Sequence, residues 1–365
     1  MYAKRQKRLI SYLKTELNVD VALIMLPVHI YYYTGFLSNP HERFFALLVD
    51  VTSGKTNLFV PSLDVEEAES VAKVDAFQPI SDSEDPYDVL NKIVLKDANT
   101  FAIEKNYITV GQFEKIQAIF PKAKFDNVEP FIQQERLRKL PEEIEYVKQA
   151  IQITETGLKN MLETFKPGMT ELQVKAALEY ELTMLGAQGL SFDTLVLSGE
   201  NSALPHGTSS QRKIKEGDFL LLDFGVHVNG YHSDITRTFI VGKGTEEQKK
   251  IYETVKMANE RAIESVIIGE PLKSVDQAAR NLIEEKGYGN YFTHRVGHGL
   301  GLDVHEAPSI HSENDEIINP GLLFTIEPGI YVPGYGGVRI EDNIYVNKEG
   351  KIEVLTTFPK TWTEI

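Results

Sequence analysis

Two aspartates in the second half of the chain, Asp223 and Asp234, have the spacing of a metal-binding pair. Between them stands Asn229-Gly230, flanked by β-forming residues, which is the strongest short signal for a β-hairpin. A two-residue turn places Gly225 opposite Asp234, so that Asp223 lies diagonal to Asp234 on the same face, with Cα atoms roughly 7–8 Å apart. Either aspartate alone could be solvated or paired with Arg237. Together, beside a buried apolar run, the two carboxylates repel each other and predict a bound cation.

Three further residues downstream are candidate metal ligands. Glu327 ends an apolar strand, and Glu341 falls within a second predicted strand, where alternation puts Arg339 on the same face. His298 lies in the glycine-rich run Gly297–Gly301, a pattern typical of backbone that closely approaches a ligand or another strand. Two hairpin-like units that each carry two carboxylates also hint at an internal duplication.

Four carboxylates and one imidazole form a hard, oxygen-rich ligand set. Such a set suits Mn²⁺, Co²⁺ or Zn²⁺ better than copper, and it hardly suits a single structural zinc ion. Two divalent ions about 3.5–4 Å apart would be nearly neutralised by four carboxylates, and they would activate a bridging water and polarise a carbonyl oxygen. The sequence therefore predicts two divalent metal ions, with Mn²⁺ as the first choice and Co²⁺ or Zn²⁺ as alternatives.

The segment around Asp223 does not indicate a protein kinase. Residues 223–225 spell the Asp-Phe-Gly found in protein kinases, but neither a kinase glycine-rich loop nor a kinase catalytic loop accompanies them.

Long helices and strand pairs must position these residues in the second part of the chain. The apolar spacing and the capping signals predict four helices there: from Pro141 to the Lys166–Gly168 stop, from Thr170 to about Leu185, from Thr245 to about Ile267, and from a Ser274 cap to Gly287. Antiparallel strand pairs lie between and after them. This pattern predicts an α+β arrangement with helices packed on one face of a curved sheet.

The first 130 residues predict a separate small α/β domain. Strand-like segments cover residues 21–26, 44–50 and 55–60, and helix-like segments cover residues 65–74 and 111–120. The domain ends near Asn127–Pro130, before a long helical segment begins. A chain of 365 residues suits two domains of ordinary size.

Composition excludes several classes of function. The net charge of −15 argues against binding to nucleic acid and to an anionic membrane surface. The chain has no cysteine, so disulfides, thiolate metal sites and cysteine nucleophiles are excluded. Its basic N-terminal segment reads as an amphipathic helix without the apolar core of a signal peptide. A cytoplasmic enzyme fits these features, although composition alone does not indicate an enzyme.

Five sequence blocks closely resemble those of the metallopeptidases with the pita-bread fold, namely prolidase, aminopeptidase P and methionine aminopeptidase. The blocks occur in the family's order: LLDFG, SDITRT, GHGLGLDVHEAP, TIEPGIY and GVRIED. Residues 1–133, with Tyr33–Phe36 and Glu42-Arg43, resemble the N-terminal domain of creatinases and prolidases. The resemblance implies two domains, a creatinase/prolidase-type α/β domain over 1–133 and a pita-bread catalytic domain over 134–365.

The resemblance also assigns a role to each candidate metal ligand. Asp223 would bind one ion, whereas His298 and Glu327 would bind the other. Asp234 and Glu341 would bridge both ions.

Four residues match catalytic positions of the same family. His206 and His305 match two active-site histidines that contact the substrate and stabilise the tetrahedral intermediate; by its surroundings alone, His206 could equally be a structural residue of a loop. Glu327 would also shuttle a proton from the nucleophilic water. Arg339 matches an arginine that steadies the first aspartate.

The implied activity is hydrolysis of the peptide bond before proline in small peptides with proline second, because methionine aminopeptidases usually lack the N-terminal domain. Chain length and the short Glu327–Glu341 spacing favour an Xaa-Pro dipeptidase. Ser309 stands where prolidases often carry an arginine thought to hold the dipeptide carboxylate, which leaves aminopeptidase P as the alternative. A catalytically silent peptide-binding protein and a creatinase-type hydrolase are disfavoured, because such proteins typically lose the ligands retained here. The resemblance further implies a homodimer.

Overall fold

A computed structural model describes residues 1–94 and 98–365 of the chain. The chain divides into two compact units, residues 1–135 and residues 136–365. None of the helices in the described ranges combines the length and the apolar character that a membrane crossing requires.

One mixed sheet forms the centre of the N-terminal unit. Its strands are β1 (Val21–Ile24), β2 (Ala46–Asp50), β3 (Lys55–Pro61), β4 (Ala76–Ile80), β5 (Thr100–Ile103) and β6 (Lys124–Asn127). They are ordered β4-β3-β2-β1-β5-β6, and β1 pairs antiparallel with β2 but parallel with β5. The three strands predicted from the sequence are β1, β2 and β3, and the α/β character of this unit is confirmed.

The helices of the N-terminal unit precede, connect and follow these strands in the chain. They are α1 (Tyr2–Tyr12), α2 (Pro27–Thr34), α3 (Val65–Val71), α4 (Pro86–Ile93), α5 (Val110–Ile119) and α6 (Glu129–Leu137). A π-helical turn over Leu13–Leu17 extends α1. The division between the two units falls within α6.

Four long helices of the C-terminal unit match the predicted ones. They are α7 (Pro141–Thr164), α8 (Glu171–Met184), α9 (Glu246–Glu264) and α10 (Lys273–Glu285). Capping boxes of Thr170 with Gln173 and of Thr245 with Gln248 begin α8 and α9. The prediction that Ser274 caps α10 is wrong. The N-cap position is Leu272 and Ser274 is the second residue of the helix, where its hydroxyl donates to the carbonyl of Pro271 at 2.8 Å.

The strands of the C-terminal unit form several short sheets. They are β7 (Gly189–Leu190), β8 (Leu195–Ser198), β9 (Phe219–Phe224), β10 (Val226–Val228), β11 (Tyr231–His232), β12 (Ile235–Ile240), β13 (Gly297–Gly299), β14 (Glu306–Ile310), β15 (Leu323–Ile326), β16 (Gly329–Val332), β17 (Gly336–Arg339), β18 (Asp342–Val346) and β19 (Ile352–Val354). The two sheets that carry the site have the orders β12-β9-β8 and β14-β13-β15-β18-β19. This interleaving of long helices with antiparallel strands confirms the α+β class.

Each helix pair packs on its own set of strands. Leu158 of α7 and Leu220 of β9 belong to one buried apolar cluster, which also takes in α8. Val255 of α9 and Phe324 of β15 belong to a second cluster, which also takes in α10. Because side chains alternate along a strand, Asp223 of β9 points away from the helices that cover Leu220.

The first hairpin of the site runs from β9 to β12 and is broken between β9 and β10 and between β11 and β12. The predicted register holds on both sides of this break. Asn229 and Gly230 adopt positive φ angles of 49° and 74°, as a type I′ turn requires. Val228 pairs with Tyr231, and beyond the break Asp223 pairs with Thr236. This confirms the diagonal placement of Asp223 and Asp234 on one face.

The second hairpin is interrupted in the same way. Ile326 pairs with Asp342, and Gly329 pairs with Arg339, so Glu327 and Glu341 face each other at the interruption. The prediction that Glu341 lies within a strand is wrong, because β17 ends at Arg339 and β18 begins at Asp342. The amide of Glu341 instead donates to the carbonyl of Thr236 at 3.1 Å, which ties the second hairpin to the first.

Candidate metal centre

All the predicted site residues line one cavity of about 410 Å³ in the C-terminal unit. They lie on six different segments of the chain and are brought together by the two interrupted hairpins and by the segments around β13. The predicted residues on its wall are His206, Asp223, Asp234, His298, His305, Glu327, Arg339 and Glu341.

Asp234, His298 and Glu341 form the tightest group on this wall. One potential ligand atom from each lies within 4.8 Å of the other two, and all three residues are buried. The Nε2 atom of His298 is 3.6 Å from Oδ2 of Asp234 and 3.4 Å from Oε1 of Glu327. A metal ion of ordinary coordination distance fits among such atoms.

Three buried carboxylate oxygens on the cavity wall have no hydrogen-bond partner within the described residues. They are Oδ1 of Asp223, Oδ1 of Asp234 and Oε1 of Glu341. Burial of an unpaired charged oxygen is costly, and native proteins almost always satisfy such groups with hydrogen bonds, ions or water. Unpaired oxygens on three neighbouring acids are the feature expected of a site built for cations.

The same crowding shifts the acidities of these carboxylates. Burial raises the pKa of Asp234 well above its usual range, and the charges of Glu341 and Asp223 raise it further. The pKa of Glu341 is raised well above its usual range by burial and then by Glu327 and Asp223. Burial raises the pKa of Glu327 to about 7, although Arg339 acts in the opposite direction. Divalent cations would reverse all three shifts by favouring the ionised forms.

His298 is held in a form that can ligate a metal. Burial and, to a smaller extent, the nearby His305 lower its pKa to about 3, so the ring is neutral at ordinary pH. Its Nδ1 lies 3.1 Å from the carbonyl oxygen of Gly299 and must carry the proton that donates to it. The unprotonated Nε2 therefore faces the carboxylates.

Arg339 and Thr236 connect the carboxylates of Asp223 and Glu341 through hydrogen bonds. Arg339 forms an ion pair with Oδ2 of Asp223 through Nη2, and its Nε donates to the Thr236 hydroxyl at 3.1 Å. The hydroxyl of Thr236 donates in turn to Oε2 of Glu341 at 2.7 Å. Each of these acids therefore has one oxygen fixed by the protein and the other left open.

The other two predicted histidines lie on the cavity wall beside this cluster. The ring of His305 meets that of His298 edge to face, with centroids 4.2 Å apart, and desolvation lowers the pKa of His305. His206 comes from the loop before β9 and is exposed.

Three residues of the site were not singled out in the sequence. His294 and Arg295 also line the cavity. Nδ1 of His294 donates to the carbonyl of Arg295 at 2.7 Å, and its Nε2 accepts from the hydroxyl of Tyr331 at 2.8 Å. Tyr331 also accepts from Arg339 at 2.8 Å, so a chain of hydrogen bonds runs from His294 to Asp223. No local pattern marks His294 and Tyr331, because the two residues meet only in the folded chain.

Two glycines allow backbones to approach each other at the site. A Cβ atom on Gly297 would collide with the carbonyl of Thr325, which agrees with the close approach predicted for this run. Gly225, which the register places opposite Asp234, is the second of these glycines. A Cβ atom there would collide with the carbonyl oxygen of Ser233, which lies between β11 and β12.

Family models match both parts of the chain. Residues 145–348 match the model of metallopeptidase family M24, and residues 5–138 match that of the creatinase/prolidase N-terminal domain. An uncharacterised peptidase of Staphylococcus aureus (strain USA300) is 40% identical over 354 residues, which cover 96% of this chain and 99% of the relative.

Solved structures with the same fold cover the chain almost completely. An X-Pro aminopeptidase from Thermotoga maritima MSB8 is 35% identical with a TM-score of 0.90, covering 99% of this chain and 100% of its own. An Xaa-Pro dipeptidase from Bacillus anthracis is 34% identical with a TM-score of 0.92, covering 100% of both chains. The pita-bread catalytic fold and the creatinase-type N-terminal fold expected from the sequence are thereby confirmed. The chain belongs to metallopeptidase family M24.

Proposed function

We propose that this M24 metallopeptidase hydrolyses the peptide bond before proline in short peptides, with Xaa-Pro dipeptides as its main substrates. The observation that carries the proposal is the set of three buried, unpaired carboxylate oxygens on the wall of a cavity that four histidines also line. The names of the similar solved structures, an X-Pro aminopeptidase and an Xaa-Pro dipeptidase, support specificity for proline.

Five residues would hold two divalent metal ions, with Mn²⁺ as the first choice and Co²⁺ or Zn²⁺ as alternatives. Asp223 would hold one ion, His298 and Glu327 the other, and Asp234 and Glu341 would be shared. The oxygen-rich donors and the neutral imidazole fit such ions. When bound, the ions would supply a water nucleophile at neutral pH and polarise the scissile carbonyl.

Glu327 is the residue proposed to move the proton. Its Oε1 lies 3.4 Å from Nε2 of His298, among the other ligand atoms. The nitrogen that leaves from an Xaa-Pro bond belongs to a tertiary amide, so it must gain a proton before proline is released. A carboxylate that takes the proton of the attacking water and delivers it to this nitrogen meets that need.

His206 and His305 are proposed to bind the reacting carbonyl group. His305 is largely neutral, because desolvation lowers its pKa, and a neutral imidazole N–H can donate to an oxygen that becomes negative. Arg339 acts through Asp223, whose carboxylate it orients, so we regard it as a positioning residue.

Aminopeptidase P is the second candidate, because one similar structure is an X-Pro aminopeptidase. The short Glu327–Glu341 spacing keeps the dipeptidase first. A homodimer remains a proposal that rests on the resemblance alone, and a cytoplasmic location remains a proposal that rests on the composition.

The test is hydrolysis of Ala-Pro and Ala-Pro-Ala by metal-free protein restored with Mn²⁺, Co²⁺ or Zn²⁺. We expect cleavage of Ala-Pro with at least one of these ions. No cleavage of either peptide with any ion would refute the proposal, and turnover of the tripeptide alone would assign aminopeptidase P activity. Asp234→Asn should be inactive, whereas Asp193→Asn, a control at an exposed aspartate outside the cavity, should be fully active.

A further inference from the structure

Two arginines line the cavity, and their surroundings differ. Arg339 is buried and forms an ion pair with Asp223. Arg295 is exposed, and within the described residues no carboxylate oxygen lies within 4.0 Å of its guanidinium. Arg295 is therefore the cationic side chain of the cavity that is open to an anion from outside.

The guanidinium of Arg295 is oriented by a neutral partner. Its Nη1 donates to the hydroxyl of Ser309 at 2.9 Å. Ser309 lies on β14 directly across from His298 on β13. The hydrogen bond thus fixes the arginine beside the candidate metal ligands without neutralising its charge.

The charge of Arg295 acts on the groups around the cavity. It favours the ionised form of Glu327 and the neutral forms of His298 and His305. One role for such a charge is to offset the carboxylate cluster. Two divalent ions would already perform that task, however, so in the metal-loaded enzyme Arg295 would be a positive charge with no internal counterpart.

We propose that Arg295, oriented by Ser309, binds the free C-terminal carboxylate of the substrate and thereby selects Xaa-Pro dipeptides. This inference rests on the proposed peptidase function and deepens it. A guanidinium matches a carboxylate through two parallel charge-assisted hydrogen bonds. In a longer peptide the same carboxyl group is a neutral amide, which cannot form the ion pair.

The assignment also accounts for the serine at position 309, where prolidases often carry an arginine. A serine has no charge with which to bind a carboxylate. Ser309 instead accepts a hydrogen bond from Arg295, which lies in the segment before β13. The specificity would then come from the pair, with the charge on Arg295 and its orientation set by Ser309.

The test compares Ala-Pro with alanyl-prolinamide, which differ only in the C-terminal charge. We expect the metal-loaded wild type to prefer the free acid, and Arg295→Gln to lower kcat/KM for Ala-Pro by about 10- to 100-fold, mainly through KM. Cleavage of the amide should change little by comparison. The ratio of the two kcat/KM values is the readout, because loss of a charge near Glu327 changes kcat for both substrates alike.

Two further variants separate charge from orientation, and a third is a control. Arg295→Lys should retain part of the preference for the acid, because it keeps the charge but loses the bidentate geometry. Ser309→Ala should reduce the preference only a few-fold. Arg261→Gln removes an exposed arginine outside the cavity and should leave the ratio at its wild-type value.

The outcomes for the inference and for the proposed function are distinct. Equal kcat/KM values for acid and amide in the wild type would overturn the role of Arg295 while leaving the peptidase function intact. An unchanged acid-to-amide ratio in folded Arg295→Gln would overturn it as well. If the wild type cleaved neither these substrates nor Ala-Pro-Ala with any of the three metals, the proposed function itself would fail.

Discussion

Glu341 and Asp342 are neighbours in the chain and are both buried, yet they lie in opposite electrostatic environments. Asp342 accepts hydrogen bonds from Arg237 at 2.8 Å and from Lys360 at 2.7 Å. Burial acts to raise its pKa, but Arg237 and Lys360 outweigh burial and hold the pKa below its usual value. For Glu341, burial and neighbouring carboxylates raise the pKa, and Oε1 has no partner among the described residues.

This difference distinguishes a carboxylate that stabilises the fold from one that is kept for a ligand. The chain supplies two cations to Asp342, so it is able to compensate a buried acid at this depth. On the cavity side it supplies Arg339 to Asp223 and leaves Asp234 and Glu341 uncompensated. We therefore interpret the missing cations as metal ions rather than as a defect of packing.

The largest expected effect is loss of catalysis when a cavity carboxylate is neutralised. Glu341→Gln should lower kcat/KM for Ala-Pro by more than about a hundredfold, because a proposed metal ligand is lost. The metal-free variant should be at least as stable as the metal-free wild type, since the substitution removes a negative charge that repels its neighbours. Steady-state kinetics and thermal unfolding test the two statements; full turnover of the variant would show that Glu341 is not a ligand.

Neutralising the neighbouring residue should have the converse effect. Asp342→Asn leaves Arg237 and Lys360 without their shared carboxylate, and breaking such a buried ion pair costs about 3–5 kcal/mol of unfolding free energy. Urea denaturation of the metal-free protein measures this loss. If the variant were as stable as the wild type, Asp342 would not stabilise the fold and would not differ from Glu341 in this respect.

The stability of the metal-free protein should depend on pH in a direction set by the cavity. Between about 4.5 and about 7 the folded protein holds a proton on Glu327 that the unfolded chain has released. Stability therefore falls as the pH rises through this range, and each unit of pKa difference is worth about 1.4 kcal/mol. Asp342 acts oppositely, since its contribution is lost only as the pH falls below 3.8.

Denaturation midpoints measured from pH 4.5 to pH 7.5, with and without Mn²⁺, test this dependence. Glu327→Gln should make the curve of the metal-free protein less steep, with Asp234 and Glu341 contributing the slope that remains. Saturating Mn²⁺ should reverse the slope, because metal ions favour the ionised carboxylates. A metal-free protein that gains stability throughout this range would contradict the assignment.

The smallest effect is expected at the hydrogen-bond chain behind Asp223. Tyr331→Phe removes the hydroxyl that joins His294 to Arg339, and each lost hydrogen bond is worth about 1 kcal/mol. We expect kcat for Ala-Pro to fall by about tenfold or less, with an unchanged number of bound ions. A loss as large as that of Glu341→Gln would mean that Tyr331 contacts the reaction directly.

The sequence predicted the parts of the site that depend on local geometry. The Asn229-Gly230 turn fixes the hairpin register, and the register alone places Asp223 and Asp234 on one face. The four long helices were recognised from local signals, namely apolar spacing and, for α8 and α9, the capping boxes.

Features that depend on contacts between distant segments could not be predicted from the sequence. The strand containing Glu341 was expected to be continuous, but the amide of Glu341 pairs with the carbonyl of Thr236, which is distant in sequence. The contrast between Glu341 and Asp342 likewise depends on Arg237 and Lys360, which no spacing rule connects to the site. His294, Arg295 and Tyr331 were missed for the same reason.

The central claim is that the uncompensated carboxylates form a site for two divalent ions, and equilibrium dialysis of the metal-free protein tests it most directly. The account predicts two bound Mn²⁺, Co²⁺ or Zn²⁺ ions per chain for the wild type and for the Asp193→Asn control, and the loss of at least one ion in Asp234→Asn. A wild type that binds none of these ions, or an Asp234→Asn variant that binds two as tightly as the wild type, would contradict it.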